Sequence, residues 1–488
     1  MSEEKNTMID ARRRFSVMAA GGLLLAGCMV GPDYVRPQSP APGSWAGLDR
    51  ATLKSLPVPG APDVQAWWTQ FKDPLLASLI DRADAGNLSI AQAQARVRQA
   101  RAARVIAASG LYPSLDAVAN GQRARTNSSN FGPSTGNLFF AGFDAAWEID
   151  IFGGIRRGVE AADAQIESSY FDRQNTLVTI NAELASTYFT LRGAQRQLEV
   201  AKKNLAAQEA TLKVVQEKFD AGFVSSLDLA NAKAQTALTA SQIPGYDALL
   251  RTSVYVISVL LGLEPAALLT DLLLDKAFPV MPGQVPVGLP SELLRRRPDI
   301  RKADADLHVA TANIGVAVAG QYPSFSLTGQ FGTASNLFSQ LFKRDSTVWS
   351  FGPAAAMPLY AGGKLDAAVE QARAITEQAL LGYRAAVLGA LQDVETSLVT
   401  FTREQERREA LADSAAAGEQ AVKSALDLYG AGKTDFLNVL TAQGQLYGTQ
   451  SSLAQSETNI GIDLVALYKA LGGGWVVADS SSEEPHSP

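Results

Sequence analysis

The chain has 488 residues, with 43 Lys and Arg against 49 Asp and Glu, two histidines and one cysteine. That balance provides no basic footprint for nucleic acid, so no nucleic-acid partner is expected. One cysteine excludes an intrachain disulfide framework, and His308 and His486 are too few for a zinc site of the Cys/His kind.

Residues 1–27 carry Arg12-Arg13-Arg14 and then an apolar run from Phe15 to Ala26. A basic start, a short apolar stretch and small residues before a cut describe an export signal. Its ending, Leu25-Ala26-Gly27-Cys28, resembles a bacterial lipobox, in which the cysteine is lipidated and becomes the new N-terminus. Cys28 is therefore expected to carry a covalent lipid, the only non-protein group expected. Met29 follows where an aspartate would, by analogy, favour retention in the inner membrane.

Residues 28–73 begin with Gly31-Pro32-Asp33-Tyr34-Val35-Arg36-Pro37 and continue Pro-, Gly- and Ala-rich. That composition predicts an extended tether, docked by Trp67, Trp68 and Phe71. From Pro74 to about Ser109 the pattern is helical.

The period then changes to two. In 138–150, Phe139, Ala141, Phe143, Ala145, Trp147 and Ile149 alternate with Asp144, Ala146, Glu148 and Asp150. Residues 325–332 and 348–359 alternate likewise, and 114–125 less cleanly. Loops are expected at Thr126–Asn137 and Thr333–Ser346. Strands of about ten residues with aromatics on one face and polar or small residues on the other are the pattern of a transmembrane β-barrel. Two hairpins supply four strands, whereas the smallest closed membrane barrels have about eight. An open edge cannot sit in lipid. Strands that cross a membrane must therefore close with those of other copies.

Between Arg156 and Phe219, Leu177, Leu184, Leu191, Leu198, Leu205, Leu212 and Phe219 share one heptad column. The spacing predicts a single long helix with a coiled-coil seam. Arg173, Arg192, Lys202 and Lys203 exclude a lipid-buried span. Ala221-Gly222 ends this rod, and a return helix over Ser225–Leu261 is expected, kinked or interrupted at Pro244.

The same arrangement recurs 210 residues on. Val387, Val394, Phe401, Ala415, Val422 and Tyr429 fall in the same column, with Arg408 out of character. Tyr112-Pro113-Ser114 matches Tyr322-Pro323-Ser324, and Phe219-x-x-Gly222 matches Tyr429-x-x-Gly432. The chain is a tandem duplication. Its expected parts are a signal (1–27), a tether (28–73), a first repeat (74–263; hairpin 112–152, helix pair 154–262), a proline-rich crossover (264–290), a second repeat (291–472; hairpin 322–360, helix pair 363–471) and a disordered tail (473–488).

Gly31-Pro32-Asp33-Tyr34-x-Arg36-Pro37 and Leu293-Leu294-Arg295-Arg296-Arg297-Pro298-Asp299-Ile300-Arg301 resemble motifs of the outer-membrane efflux lipoproteins, the NodT/OprM branch of the TolC-like family. Ile314-Gly315-Val316-Ala317-x-Ala319-x-x-Tyr322-Pro323-Ser324 continues the second motif. The resemblance implies a mainly α fold with a membrane β part. It also implies a homotrimer in which three sets of four strands close one 12-stranded outer-membrane barrel, above a periplasmic barrel of long helices. The implied partners are a periplasmic adaptor (membrane fusion) protein, an inner-membrane pump of the RND type and outer-membrane lipid, and no enzyme activity is implied. Phe219, Gly222, Tyr429 and Gly432 would mark periplasmic tip turns that meet the adaptor. A pore gate is implied at Leu437 and Thr441, with Asn438 between them. Relatives commonly carry an aspartate at the Thr441 position, so any cation preference would fall to Asp435 or Asp228.

Protein export by a type I system is the alternative on the same fold, and a poreless periplasmic coiled-coil spacer is a third. The spacer leaves the alternating strands unexplained. The Arg295–Arg301 run is expected to pair with Asp299, Asp304 and Asp306, and His308 to be a satisfied packing histidine. Gly362-Gly363-Lys364 lacks the preceding glycine of a P-loop and reads as a strand-to-helix turn.

Overall fold

The computed structural model describes residues 29–38, 42–46, 56–58, 65–128, 132–274 and 277–475. Cys28, the signal and the end of the tail lie outside the described residues. In chain order the elements are β1 (Leu56–Val58), α1 (Pro74–Gly86), α2 (Leu88–Ser109), β2 (Ser114–Ser128), β3 (Gly132–Ile149), α3 (Gly154–Asp220), α4 (Ser226–Leu260), α5 (Leu269–Leu272), β4 (Gln284–Pro286), α6 (Pro290–Arg296), α7 (Pro298–Ala319), β5 (Ser324–Ser335), β6 (Thr347–Ala356), α8 (Lys364–Gly430) and α9 (Phe436–Ala470). The duplication is visible in the lengths, with 67 residues in both α3 and α8 and 35 in both α4 and α9. A 67-residue helix is about 100 Å long. Pro244 lies inside α4 without interrupting it.

The chain divides into two units. The first comprises Met1–Gln38, Arg96–Tyr170 and Lys302–Arg384, and the second Ser39–Ala95, Phe171–Arg301 and Ala385–Pro488.

The first unit holds an antiparallel sheet in the order β2-β3-β5-β6, so among the described residues β2 and β6 each have one free edge. Ala117, Phe143, Phe331 and Trp349 stand side by side across it, and Leu115, Ala145, Gly329 and Phe351 form the next row on that face. Between them, on the opposite face, runs the row Asp116, Asp144, Gln330 and Ser350. The aromatic side chains are exposed, as a surface meant for lipid would be. No helix among the described residues is long and apolar enough to cross a membrane. The loops are shorter than the Asn/Ser/Gly composition predicts, because β2 runs on to Ser128 and β3 starts at Gly132. There Asn127 stands opposite Pro133 and Arg123 opposite Asn137, and pairing outweighs the weak strand propensity of those residues.

The first unit also explains the Gly31–Pro37 motif. Val30 N–H donates to the Phe152 carbonyl at 3.1 Å. The buried Arg157 guanidinium pairs with Asp33 and Glu160, both at 2.7 Å, and donates to the Val30 carbonyl. The Tyr34 ring stacks on His308 with centroids 4.4 Å apart, and its hydroxyl donates to Asp304. Arg36 pairs with the same Asp304 at 3.0 Å. Gly31 touches Gly315 so closely that a Cβ at residue 31 would lie 2.5 Å from its Cα. The motif is a strap, held by hydrogen bonds and a ring stack.

The second unit carries the main core. Leu184, Leu191, Val394 and Phe401 of the heptad columns are fully buried there with Leu398, Leu464 and Val465. Each is worth about 1.5–3 kcal/mol of burial. Trp67 stacks on Tyr468 at 5.3 Å and Phe71 meets the edge of Phe189 at 4.9 Å. Arg408, the exception in its column, reaches Glu457 at 3.8 Å.

The tether and the crossover are not simply extended, because β1 and β4 pair in parallel and Trp45 is buried with its indole N–H on the Gly288 carbonyl at 3.0 Å. Within the arginine run, Arg297 takes Asp299 at 2.7 Å, as expected, and also Asp393 at 3.0 Å, while Arg301 lies over the Phe171 ring at 4.2 Å. Asp304 is held by Arg36 and Tyr34. Asp306 pairs with Lys302 at 2.8 Å.

Candidate functional site at the helical turns

The turns α3–α4 and α8–α9 both lie in the second unit, and their sequences dictate how the helices stop. Gly222 and Gly432 have φ of +78° and +67°, a left-handed conformation open to glycine at little cost. Gly222 N–H donates to the Phe219 carbonyl at 2.9 Å and Phe223 N–H to Lys218 at 2.8 Å. At the second turn Gly432 N–H donates to Tyr429 at 3.2 Å and Lys433 N–H to Leu428 at 2.8 Å. Both are Schellman closures, which satisfy the last carbonyls of a helix.

The return helices start differently. Ser225 and Asp228 form a reciprocal capping box, each side chain accepting the other's backbone N–H at 3.1 Å. At the matching positions stand Asp435 and Asn438. Asp435 caps α9 without a side-chain hydrogen bond, and Asn438 donates to the Thr434 hydroxyl at 2.7 Å. The Asp435 carboxylate is thus exposed and uncommitted to the cap, whereas Asp228 is held in its box.

A separate small core supports the turns. Val215, Leu229, Tyr429, Phe436 and Val439 are buried together, with Phe219 half-buried against them. The Tyr429 and Phe436 rings are 5.5 Å apart. Lys218 places its ammonium 3.9 Å from the Tyr429 ring centroid and donates to the Tyr429 carbonyl at 3.3 Å. Burial, followed by the nearby Asp228 carboxylate, pushes the Tyr429 phenol above its usual pKa, so it stays neutral. The structure thus brings Phe219, Tyr429 and Asp228 into one neighbourhood. The clamp of Lys218 on Tyr429 escaped sequence reading, since a lysine in a last helical turn is ordinarily read as a dipole partner.

Leu437, Asn438 and Thr441 point away from this core. Leu437 is 60% exposed, although its neighbours Phe436 and Val439 are buried. Thr441 lies one turn on, and its hydroxyl donates to the Leu437 carbonyl at 2.8 Å. Phe223, at the end of the first turn, is 82% exposed. Among the described residues, no cluster of three or more His, Cys, Asp or Glu could hold a metal ion.

Residues 79–263 and 289–473 match the outer membrane efflux protein family, one match per repeat. The chain is 31% identical over 457 residues to nodulation protein T of Rhizobium leguminosarum bv. trifolii, covering 93% of this chain and 96% of that one. It is 32% identical to the pyoverdine export outer membrane protein OpmQ of Pseudomonas putida, over 89% of this chain and 92% of that protein. Its fold overlays the outer-membrane channel OprN with a TM-score of 0.86 at 34% identity, covering 92% of this chain and 100% of OprN. Family match, relatives and fold agree from the first repeat to the second, and the chain belongs to the outer membrane efflux protein family.

Proposed function

We propose that this chain is the outer-membrane exit duct of a tripartite efflux pump, working as a homotrimer and carrying out no chemical step. One observation carries the reading: an open four-stranded sheet presents an apolar face while leaving β2 and β6 each with a free edge. Unpaired edges in lipid cost several kcal/mol per group, so copies must pair β6 to β2 until the sheet closes. Three copies make a barrel of a size found in outer membranes.

An inner-membrane RND-type pump would deliver cargo through a periplasmic adaptor that meets the helical turns. The exposed Phe223 and the glycine-closed ends at Gly222 and Gly432 support contact there. Cys28, immediately before the docked strap, is the proposed lipidation site, and more than one acyl chain is required for a stable anchor. Leu437 and Thr441, exposed on one side of α9, are the proposed gate. With threonine at the second position, the constriction is hydrophobic and steric, and Asp435 contributes what cation preference there is more readily than the box-held Asp228.

Small-molecule cargo is favoured over secreted protein because OpmQ is named for pyoverdine export and other relatives for antibiotic or solvent efflux. Deleting the gene should raise susceptibility to a panel of antibiotics and solvents at least several-fold and leave the secreted proteome unchanged. Loss of a secreted protein with unchanged susceptibility would move the reading to type I secretion.

A further inference from the structure

We propose that Arg123 and Arg125 form a docking site for the phosphate groups of outer-leaflet lipopolysaccharide. The inference rests on the membrane placement of the sheet and concerns what that placement does to its charges. Along the apolar face, register and alternation put Leu115, Ala117, Ala119, Gly121, Arg123 and Arg125 on β2. The β3 residues on that face run from Thr135 through Phe139 and Phe143 to Ile149, and those of β5 and β6 include Phe325, Phe331, Trp349 and Phe351. Arg123 and Arg125 are the two charges on this face between Leu115 and Arg125 and their cross-strand partners. The acids Asp116, Asp144 and Glu148 all lie on the other face.

Position along the strand decides what the arginines meet. The sheet joins α2, α3, α7 and α8 at one end, and the arginines sit toward the other, beside the β2–β3 turn. From Ile149 to Phe139 is ten residue steps along β3. At about 3.3 Å per residue and a tilt of about 40°, that stretch rises roughly 25 Å, the height of a barrel's apolar band. Phe139 pairs with Gly121 and meets the Phe338 ring edge-on at 5.6 Å, an aromatic pair at the upper margin. Arg123 and Arg125 are two and four residues beyond Gly121. They fall just above the band, where the headgroups of the outer leaflet lie and the penalty for a lipid-facing charge fades.

Their chemistry suits phosphate. Alternate residues of one strand are about 6.6 Å apart on the same face, so two guanidinium forks stand in a row. Arginine binds phosphate through two parallel N–H donors. Both side chains are exposed, and among the described residues neither makes an ion pair. Arginines meant to solubilise a loop would have no reason to occupy the lipid face in place of the open side.

The purified protein is reconstituted in phosphatidylethanolamine vesicles doped with intact or phosphatase-treated lipopolysaccharide, re-extracted, and its retained lipopolysaccharide quantified per trimer. Wild type should retain at least about tenfold more of the intact than of the treated lipid, from two cationic contacts. The Arg123→Gln/Arg125→Gln trimer should lose that preference, and Arg123→Lys/Arg125→Lys should keep part of it. Equal retention of intact and treated lipid by wild type, or wild-type retention by the Gln pair, overturns the site. Conductance of the same vesicles reads the channel separately, so a conducting trimer that shows no lipid preference refutes the docking site alone.

Discussion

A leucine at Gly461 is expected to leave little folded protein. A Cβ there would lie 2.4 Å from Cδ1 of Phe189 and 2.7 Å from its Cε1. Phe189 is fully buried and wedged between Phe71 at 4.9 Å and Phe278 at 5.9 Å, so its ring has nowhere to go. Overpacking of this kind costs about 1–3 kcal/mol for a small group and more for a branched one. Against a total stability of about 5–15 kcal/mol, Gly461→Leu should remove most of the margin and Gly461→Ala should lower Tm by several degrees. Gly444 on the same helix is the control, since nothing lies within 4 Å of a Cβ there. Gly444→Ala should be neutral or slightly stabilising, because alanine favours the helix. Thermal melts in detergent decide it, and a Gly461→Leu protein that melts with the parent refutes the packing.

Leu437→Ser should raise single-channel conductance several-fold while costing little stability. Within one chain Leu437 is 60% exposed, and the fold around it is held by Phe436 and Val439. Three leucines about an axis can close a narrow pore by dewetting it, and three serines cannot. Thr441→Asp should add block by divalent cations, because it places a carboxylate one turn from Leu437, where the threonine hydroxyl now donates to the Leu437 carbonyl. Planar-bilayer recordings test both. If Leu437→Ser trimers conduct as the parent does, the constriction lies elsewhere.

Much of this fold is written in periodicity. The heptad column from Leu177 to Phe219 and its repeat produce two 67-residue helices, because one apolar face at that spacing has no other way to be buried. The hairpins are equally legible from their two-residue alternation, though not their ends. Asn127 and Asn137 look like loop residues, yet they pair with Pro133 and Arg123. The pairing of β1 with β4 was hidden, since three-residue strands leave no period to detect. The partners of Arg157 and Tyr34 were hidden for another reason. Asp33 and Glu160, or His308 and Asp304, converge only after distant segments pack. The turn glycines are visible because a helix that must reverse needs a left-handed residue. The exposure of Leu437 is not, because an apolar residue in a heptad pattern ordinarily signals core.

If copies of this chain close one barrel from their open four-stranded sheets, they must leave the membrane together as one assembly. Native mass spectrometry of the full-length protein, extracted from the outer membrane in mild detergent, tests it most directly. A single assembly of three chains is expected, each lacking residues 1–27 and carrying several hundred daltons or more of lipid at Cys28. A stable monomer would contradict the closure argument, and three chains with an unmodified Cys28 thiol would contradict the anchor.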